Sequence, residues 1–149
     1  MTTKYKRRKA LEALPPDLYK SFKEIINRIR KFSSEDQGDL GMRVLMWLHF
    51  AYRPLKLKEL QHALAVEKVH TEFIADNIPP RKVLLDFCLG LVAIDDVTLT
   101  VHFVHYTLEE YFCDNTKEES PDGCSSIAET CLTYLNFGKL RQHCANADN

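Results

Sequence analysis

Apolar residues recur at three- and four-residue spacing after the segment ALPPD, which predicts an amphipathic helix. The apolar stripe runs from Leu18 to Phe32, and mainly lysine, arginine and asparagine side chains occupy the opposite side. Pro16 or Asp17 is expected in the first turn, where the missing amide of a proline breaks no hydrogen bond. The polar sequence SSEDQGD that follows is expected to form a loop.

The next predicted element is a pair of helices. The segment from Leu40 to Tyr52 is apolar on almost every side, so a helix there must be covered by neighbours in most directions. Arg53 and Pro54 are expected to end it, because the residue before a proline disfavours helical geometry. The segment LKLKELQHALAV predicts a short second helix, joined to the first through RPLK as a helix-turn-helix pair.

A further helix and two strands are predicted next. The helix begins after the proline pair of NIPPRK and stops at Gly90. The strands are LVAID and TLTVHFVH, with the turn between them at residues 95–98. In the second strand, Leu99, Val101 and Phe103 are expected to alternate on one face.

Two capping boxes predict the last helices: Thr107 with Glu110, and Ser126 with Glu129. The final helix is expected to bury an apolar stripe that consists of Ile127, Cys131, Leu132 and Leu135. Three helices followed by a β-hairpin form the winged-helix arrangement. The sequence therefore predicts a mainly α (α+β) winged-helix fold, with a helix-turn-helix core, a two-stranded β-hairpin wing and flanking helices.

The charge is unevenly distributed along the 149 residues, a length that fits a single domain. Residues 1–32 hold ten lysines and arginines against three acids, a net +7, whereas the remainder holds ten against eighteen, a net −8. The expected organisation is a basic N-terminal arm (1–13), a winged-helix domain (14–113), a C-terminal flanking helix (124–138) and a tail (139–149).

Composition excludes several classes of protein. With 45% hydrophobic and 28% charged residues, the chain is neither a disordered segment nor a fibrous rod. It has no run of 18 apolar residues, so no contact with a membrane is expected, and its basic start lacks the apolar core of a secretory signal. Five cysteines without a C-x-x-C pair favour a reduced, cytoplasmic chain.

The motifs of common active sites are missing. The chain has no G-x-x-x-x-G-K-[ST] loop for phosphates, no G-x-S-x-G nucleophile elbow and no H-E-x-x-H zinc site. His102 and His105 form H-x-x-H, but on a strand these positions point to opposite faces and would not converge on a metal unless the chain turns between them. We therefore expect neither an enzyme nor a metal protein.

A winged helix can bind DNA through its recognition helix. Here that helix offers only two cations, and Asp95 and Asp96 at the hairpin tip would repel phosphates. Nucleic-acid binding is therefore disfavoured, although a stand-alone protein that contacts nucleic acid or a protein partner remains the alternative. The residues for such contacts would be Lys4, Lys6, Arg7, Arg8, Lys9, Arg81 and Lys82.

Several blocks together carry a family resemblance: LPPDLYKSFKEIINRI, RVLMWLHFAYRPLKLKELQHALAV, CLGLVAID, FVHYTLEEYF and SIAETCLTYL. From Leu14 to Phe137 the chain resembles the winged-helix segment that follows the NACHT nucleotide-binding module in fungal NOD-like (STAND) proteins, often ahead of ankyrin repeats. A similar segment occurs in GPI inositol-deacylase-like sequences. The blocks stand in the same order and at similar spacing.

The resemblance implies a non-catalytic regulatory domain in signal transduction, which docks on the NACHT module and holds its resting state. The partners would be that module and the helical or ankyrin repeats of the parent protein. ADP or ATP would bind to the module, and this chain would hold no cofactor. The block FVHYTLEEYF places His105 where a family histidine contacts the phosphates of ADP, with Tyr106 where the related MHD motif has an acid. The alternative role for His105 is a capping or partly buried histidine.

Overall fold

A computed structural model of the protein describes residues 16–32 and 35–138. The cations of the basic arm (Lys4, Lys6, Arg7, Arg8 and Lys9) and the tail at 139–149 lie outside these residues. Within the described residues the chain forms seven α-helices: α1 (Pro16–Arg30), α2 (Glu35–Phe50), α3 (Leu57–Ala65), α4 (Arg81–Phe87), α5 (Tyr106–Asp114), α6 (Thr116–Glu119) and α7 (Gly123–Asn136). Three short strands accompany them: β1 (Leu55–Lys56), β2 (Val92–Ile94) and β3 (Thr100–Phe103), with a 3-10 turn at Ala75–Asn77.

The order α2–β1–α3–α4–β2–β3 confirms the predicted winged-helix fold. The wing is the antiparallel β2–β3 hairpin, in which Val92 pairs with Phe103 and Ile94 pairs with Val101. The prediction of a two-stranded sheet was incomplete, because β1 adds a third strand at the other edge of β3. A two-residue strand in the connection RPLK has no sequence period of its own, so only its partner in the sheet reveals it.

The wing turn differs from its prediction. Leu99 was expected to continue the apolar alternation of β3, but it lies in the turn at φ +55° and is exposed. The Asp95 side chain accepts hydrogen bonds from the amides of Val97 and Thr98, at 2.8 and 2.7 Å. This local closure uses residues 95–99 for the turn, so the strand begins at Thr100.

Helix α2 lies at the centre of the core, as its uniformly apolar sequence predicted. It packs against α1, α3, α4, α7 and the sheet. The side chains that are almost wholly buried come from α1, α2, α3 and α5 together with Cys88: Ile26, Ile29, Val44, Leu45, Leu60, Cys88, Thr107, Leu108 and Phe112. The winged helix and its flanking helices therefore share one core.

The predicted loop SSEDQGD was wrong from Glu35 onward, since helix α2 already begins at that residue. Two glycines explain the difference. A Cβ on Gly38 would lie 2.9 Å from the carbonyl oxygen of Ile29, and one on Gly41 would lie 2.7 Å from that of Phe87. The glycines let α2 approach its neighbours closely, and this packing outweighs their low helix propensity.

Helix α7 was predicted to bury its apolar stripe, and most of that stripe is exposed instead. Leu132 and Leu135 are 67% and 65% exposed. The helix begins at Gly123, three residues before the predicted capping box, and Gly123 and Thr130 are the buried positions. Gly123 packs against the ring of Phe50, where any side chain would clash. The small residues of α7 therefore face the core and the leucines face outward.

The buried carboxylate of Glu119, in α6, accepts hydrogen bonds from side chains of α1 and α5. Glu119 is 5% exposed, and its oxygens lie 2.6 Å from an Arg30 nitrogen and 2.7 Å from the Tyr111 hydroxyl. Burial and this hydrogen bond raise the pKa of Tyr111.

Among the residues that the structure describes, no helix has the length and apolarity needed to cross a membrane.

Candidate functional site

A groove of about 350 Å³ opens between the end of α2, strand β3 and the start of α5. Its lining brings together residues from two separate sequence segments, 48–55 and 101–109. They are Leu48, Ala51, Tyr52, Arg53, Pro54, Leu55, Val101, His102, Phe103, His105, Tyr106 and Glu109. The groove therefore brings His105 together with one cation, Arg53, and with the ring of Tyr52, both of which are distant from it in the sequence.

His105 is the N-cap of α5. Its backbone is extended, with φ −146° and ψ 144°, and its Nδ1 accepts a hydrogen bond from the Thr107 amide at 3.3 Å. Nδ1 also lies 2.9 Å from Thr107 Oγ1. The predicted capping box, with Thr107 as the cap and Glu110 as its partner, was therefore wrong. The cap lies two residues earlier because the imidazole supplies the acceptor and Thr107 is buried inside the first turn.

The capping contact also sets the chemistry of the imidazole. A ring nitrogen that accepts from an amide carries no proton, so in neutral His105 the proton lies on Nε2. The residue is exposed, and its ring centroid lies 4.4 Å from that of Tyr106. The structure therefore leaves Nε2–H as a hydrogen-bond donor at the edge of the groove.

His102 also lines this groove, and the two histidines do not lie on one strand. The strand ends at Phe103 and the chain then turns, with the Val104 amide bonded to the Leu91 carbonyl oxygen at 3.1 Å. His102 Nδ1 lies 3.0 Å from the Phe103 carbonyl oxygen. In residues 16–32 and 35–138, no group of three or more His, Cys, Asp or Glu side chains is arranged to hold a metal ion.

Arg53, for which the sequence predicted only a position at the end of a helix, also lines the groove. It forms a bidentate pair with Glu59, at 2.7 Å from Nη2 to Oε1 and 3.0 Å from Nη1 to Oε2. The amide of Lys56 donates to the same carboxylate at 2.9 Å. Together these donors lower the pKa of Glu59 to about 2. No sequence signal reports that Arg53 lies beside the wing, because the β1–β3 pairing creates that proximity.

The predicted cations of the recognition helix do not join this groove. Arg81 donates to Asp96 at the wing tip, at 2.5 Å, so its charge is partly neutralised. Lys82 is exposed next to it. These two residues thus lie outside the groove that contains His105.

Residues 29–121 match the family described as "GPI inositol-deacylase, winged helix domain". The matched segment includes the three strands and the groove. Among curated proteins, the chain is similar to "Azaphilone pigments biosynthesis cluster protein L" of Monascus ruber, with 27% identity over 142 residues. That match covers 84% of this chain but only 29% of the relative. No solved structure matches the chain significantly.

Proposed function

The chain belongs to the GPI inositol-deacylase winged helix domain family, and on that premise we propose that it is the regulatory domain of a NACHT-type signalling NTPase. In this proposal the domain docks on the nucleotide-binding module and holds the resting state of a cytoplasmic switch. ADP or ATP binds to that module, and helical or ankyrin repeats of the parent protein are further partners. Winged-helix domains of this family are typically non-catalytic.

The observation that carries the proposal is the free donor of His105. An imidazole N–H can donate to a β-phosphate oxygen, and a hydrogen bond to a charged acceptor is stronger than one between neutral groups. Because Nδ1 is engaged with Thr107, the ring is held in one orientation, and Nε2 is the nitrogen that remains to donate to a ligand. The size of the relative from Monascus ruber is also consistent with a domain of this kind within a longer polypeptide.

The proposal has a thermodynamic consequence. A contact that forms only when the domain is docked stabilises the docked state, and its loss shifts the population toward the open state. Loss of the His105 donor should therefore release ADP faster and raise basal self-association of the parent protein.

His105→Ser in the full-length parent protein tests this proposal. Serine preserves a helix cap but cannot reach the position of Nε2, so folding and phosphate contact are separated. We expect lower retention of ADP and more oligomer without a trigger. His70→Ser is the matched control, because it changes an exposed histidine outside the groove, and it should behave like the wild type. Unchanged ADP retention in His105→Ser would overturn the proposal.

An immunoblot of the native source, with an antibody raised against this chain, tests whether a parent protein exists. A band far above 17.3 kDa is expected. A single band near 17.3 kDa would favour the alternative, a stand-alone protein that uses its basic arm. In that case the affinity for duplex DNA should fall by roughly 10³ or more between 50 and 200 mM salt, as several phosphate contacts require.

A further inference from the structure

We infer that Arg53 is a second contact for a polyphosphate group at the groove. The carboxylate of Glu59 binds the guanidinium of Arg53 until the polyphosphate takes the place of that carboxylate. This inference rests on the proposed function and adds a residue to the same site. The chemistry required is a diphosphate, whether it belongs to a nucleotide or is free in solution.

The position of Arg53 supports this role. It follows α2 directly and lines the groove that also contains His102 and His105. It also lines a second, apolar groove of about 620 Å³ between α3 and α7, on the side where Glu59 lies. The side chain therefore stands on the ridge between two grooves, and rotation of its long stem can carry the guanidinium from one to the other.

The pair with Glu59 is suited to exchange. The Arg53 and Glu59 side chains are 64% and 39% exposed, and ion pairs this open to water contribute little to stability. A diphosphate offers more negative charge than one carboxylate and accepts two parallel N–H bonds from a guanidinium. The exchange therefore replaces one bidentate partner with a stronger one.

Other groups on the groove favour an anion, and one opposes it. His102 and His105 add donors, and the start of α5 adds the positive end of a nine-residue helix. The carboxylate of Glu109 also lines the groove and repels negative charge. Removing that charge should consequently strengthen binding.

The variant Glu59→Gln tests whether the ion pair with Glu59 restrains Arg53. Glu59 closes a capping box by accepting from the Lys56 amide, and glutamine can occupy this position of the box. The substitution thus keeps the start of α3 intact while it removes the charge that holds Arg53. We expect the freed arginine to bind phosphate more tightly than the wild type does.

The experiment is a titration of the 149-residue chain with inorganic pyrophosphate, followed by NMR of arginine and histidine side chains. Arg53→Gln should weaken binding by about tenfold, the change expected for one lost charge-assisted contact. Glu59→Gln and Glu109→Gln should strengthen it. Arg81→Gln is the matched control, because it removes an arginine that is paired with an aspartate outside the groove.

Including His105→Ser separates failure of this inference from failure of the proposed function. If Arg53→Gln binds like the wild type and His105→Ser binds more weakly, the inference is overturned and the proposed function stands. If only Arg53→Gln is weakened, the inference stands and the role of His105 falls. A wild-type chain that does not respond to millimolar pyrophosphate also overturns the inference, and ADP retention in the parent protein then decides the proposed function.

Further titrations with ADP and with AMP identify the source of the phosphate. Equal affinities for ADP and pyrophosphate would mean that only the phosphates are recognised. Tighter binding of ADP would mean that the base also makes contacts, for which the exposed rings of Tyr52 and Tyr106 are available. AMP, with one phosphate, should bind most weakly in either case, and AMP binding as tight as that of ADP would contradict the diphosphate assignment.

Discussion

The Nδ1 atom of His105 lies 3.3 Å from the backbone nitrogen of Thr107 and accepts a hydrogen bond from its N–H group. Nδ1 thus caps helix α5, and Nε2 remains to donate a hydrogen bond to a ligand. This division explains how a residue proposed to contact phosphate can also determine where α5 begins. It also means that an alanine substitution at this position changes two properties at once.

Substitutions at His105 should separate these two properties. His105→Ala removes the cap, so the free energy of unfolding should fall by about 0.5–2 kcal/mol. His105→Asn and His105→Ser restore a side-chain oxygen at the cap and should stay closer to the wild type. Urea denaturation of the three variants measures the difference. Equal stability of the alanine and serine variants would show that the capping bond contributes nothing.

The outward position of Leu135 on α7 predicts that it contributes much less to stability than Leu108, a buried leucine of α5. Leu108→Ala removes a fully buried side chain and should cost about 2–5 kcal/mol of unfolding free energy. Leu135→Ala changes a side chain that is 65% exposed and should stay within about 0.5 kcal/mol of the wild type. Thermal or urea unfolding compares them directly. A large loss for Leu135→Ala would mean that α7 buries the stripe that its sequence suggested.

The left-handed conformation of Leu99 predicts that glycine is preferred there. A Cβ is unfavourable at φ +55°, by about 1–2 kcal/mol for an ordinary residue. Leu99→Gly should therefore be neutral or stabilising. Val97→Gly is the control, since this exposed residue of the same turn is not among the described residues with positive φ, and there glycine should destabilise by about 0.5–1 kcal/mol. Equal losses for both variants would contradict the geometry of the turn.

The carboxyl group of Glu59 should titrate unusually low. The bond from Arg53, followed by that from the Lys56 amide, lowers its pKa from the ordinary 4.5 to about 2. The charged form is thus favoured in the folded state, so its contribution to stability is present above about pH 4.5 and is lost as the pH falls toward 2.

NMR titration of the Glu59 carboxyl carbon measures this pKa. In Arg53→Gln the pKa should rise toward the ordinary value, and the dependence of stability on pH between 2 and 4.5 should become shallower. A midpoint near 4.5 in the wild type would show that the ion pair does not form in solution.

Much of the fold could be predicted because its helices carry clear periodicity. The stripe of α1 and the all-round apolar sequence of α2 identify those helices without further information. Errors occurred where tertiary contacts outweigh local preference. Glycines that suit close packing extend α2 into a sequence that resembles a loop, and a small-residue face turns the leucines of α7 outward.

For a similar reason, the sequence indicated only one of the two residues that we propose for the site. His105 could be found because it lies in a recognisable block of sequence, FVHYTLEEYF. Arg53 could not, because nothing in the order of residues reports that β1 pairs with β3 and brings the end of α2 beside the wing. Contacts between distant segments follow from the sheet, and a strand of two residues leaves almost no trace in the sequence.

Hydrogen exchange on the parent protein, with and without ADP, tests the proposed docking of this domain most directly. Exchange should slow with ADP in the peptides that form the groove, residues 48–56 and 101–110, while α1 at residues 16–30 serves as the internal reference. Protection confined to the groove is the result that the account predicts. Identical exchange in the two states would contradict it.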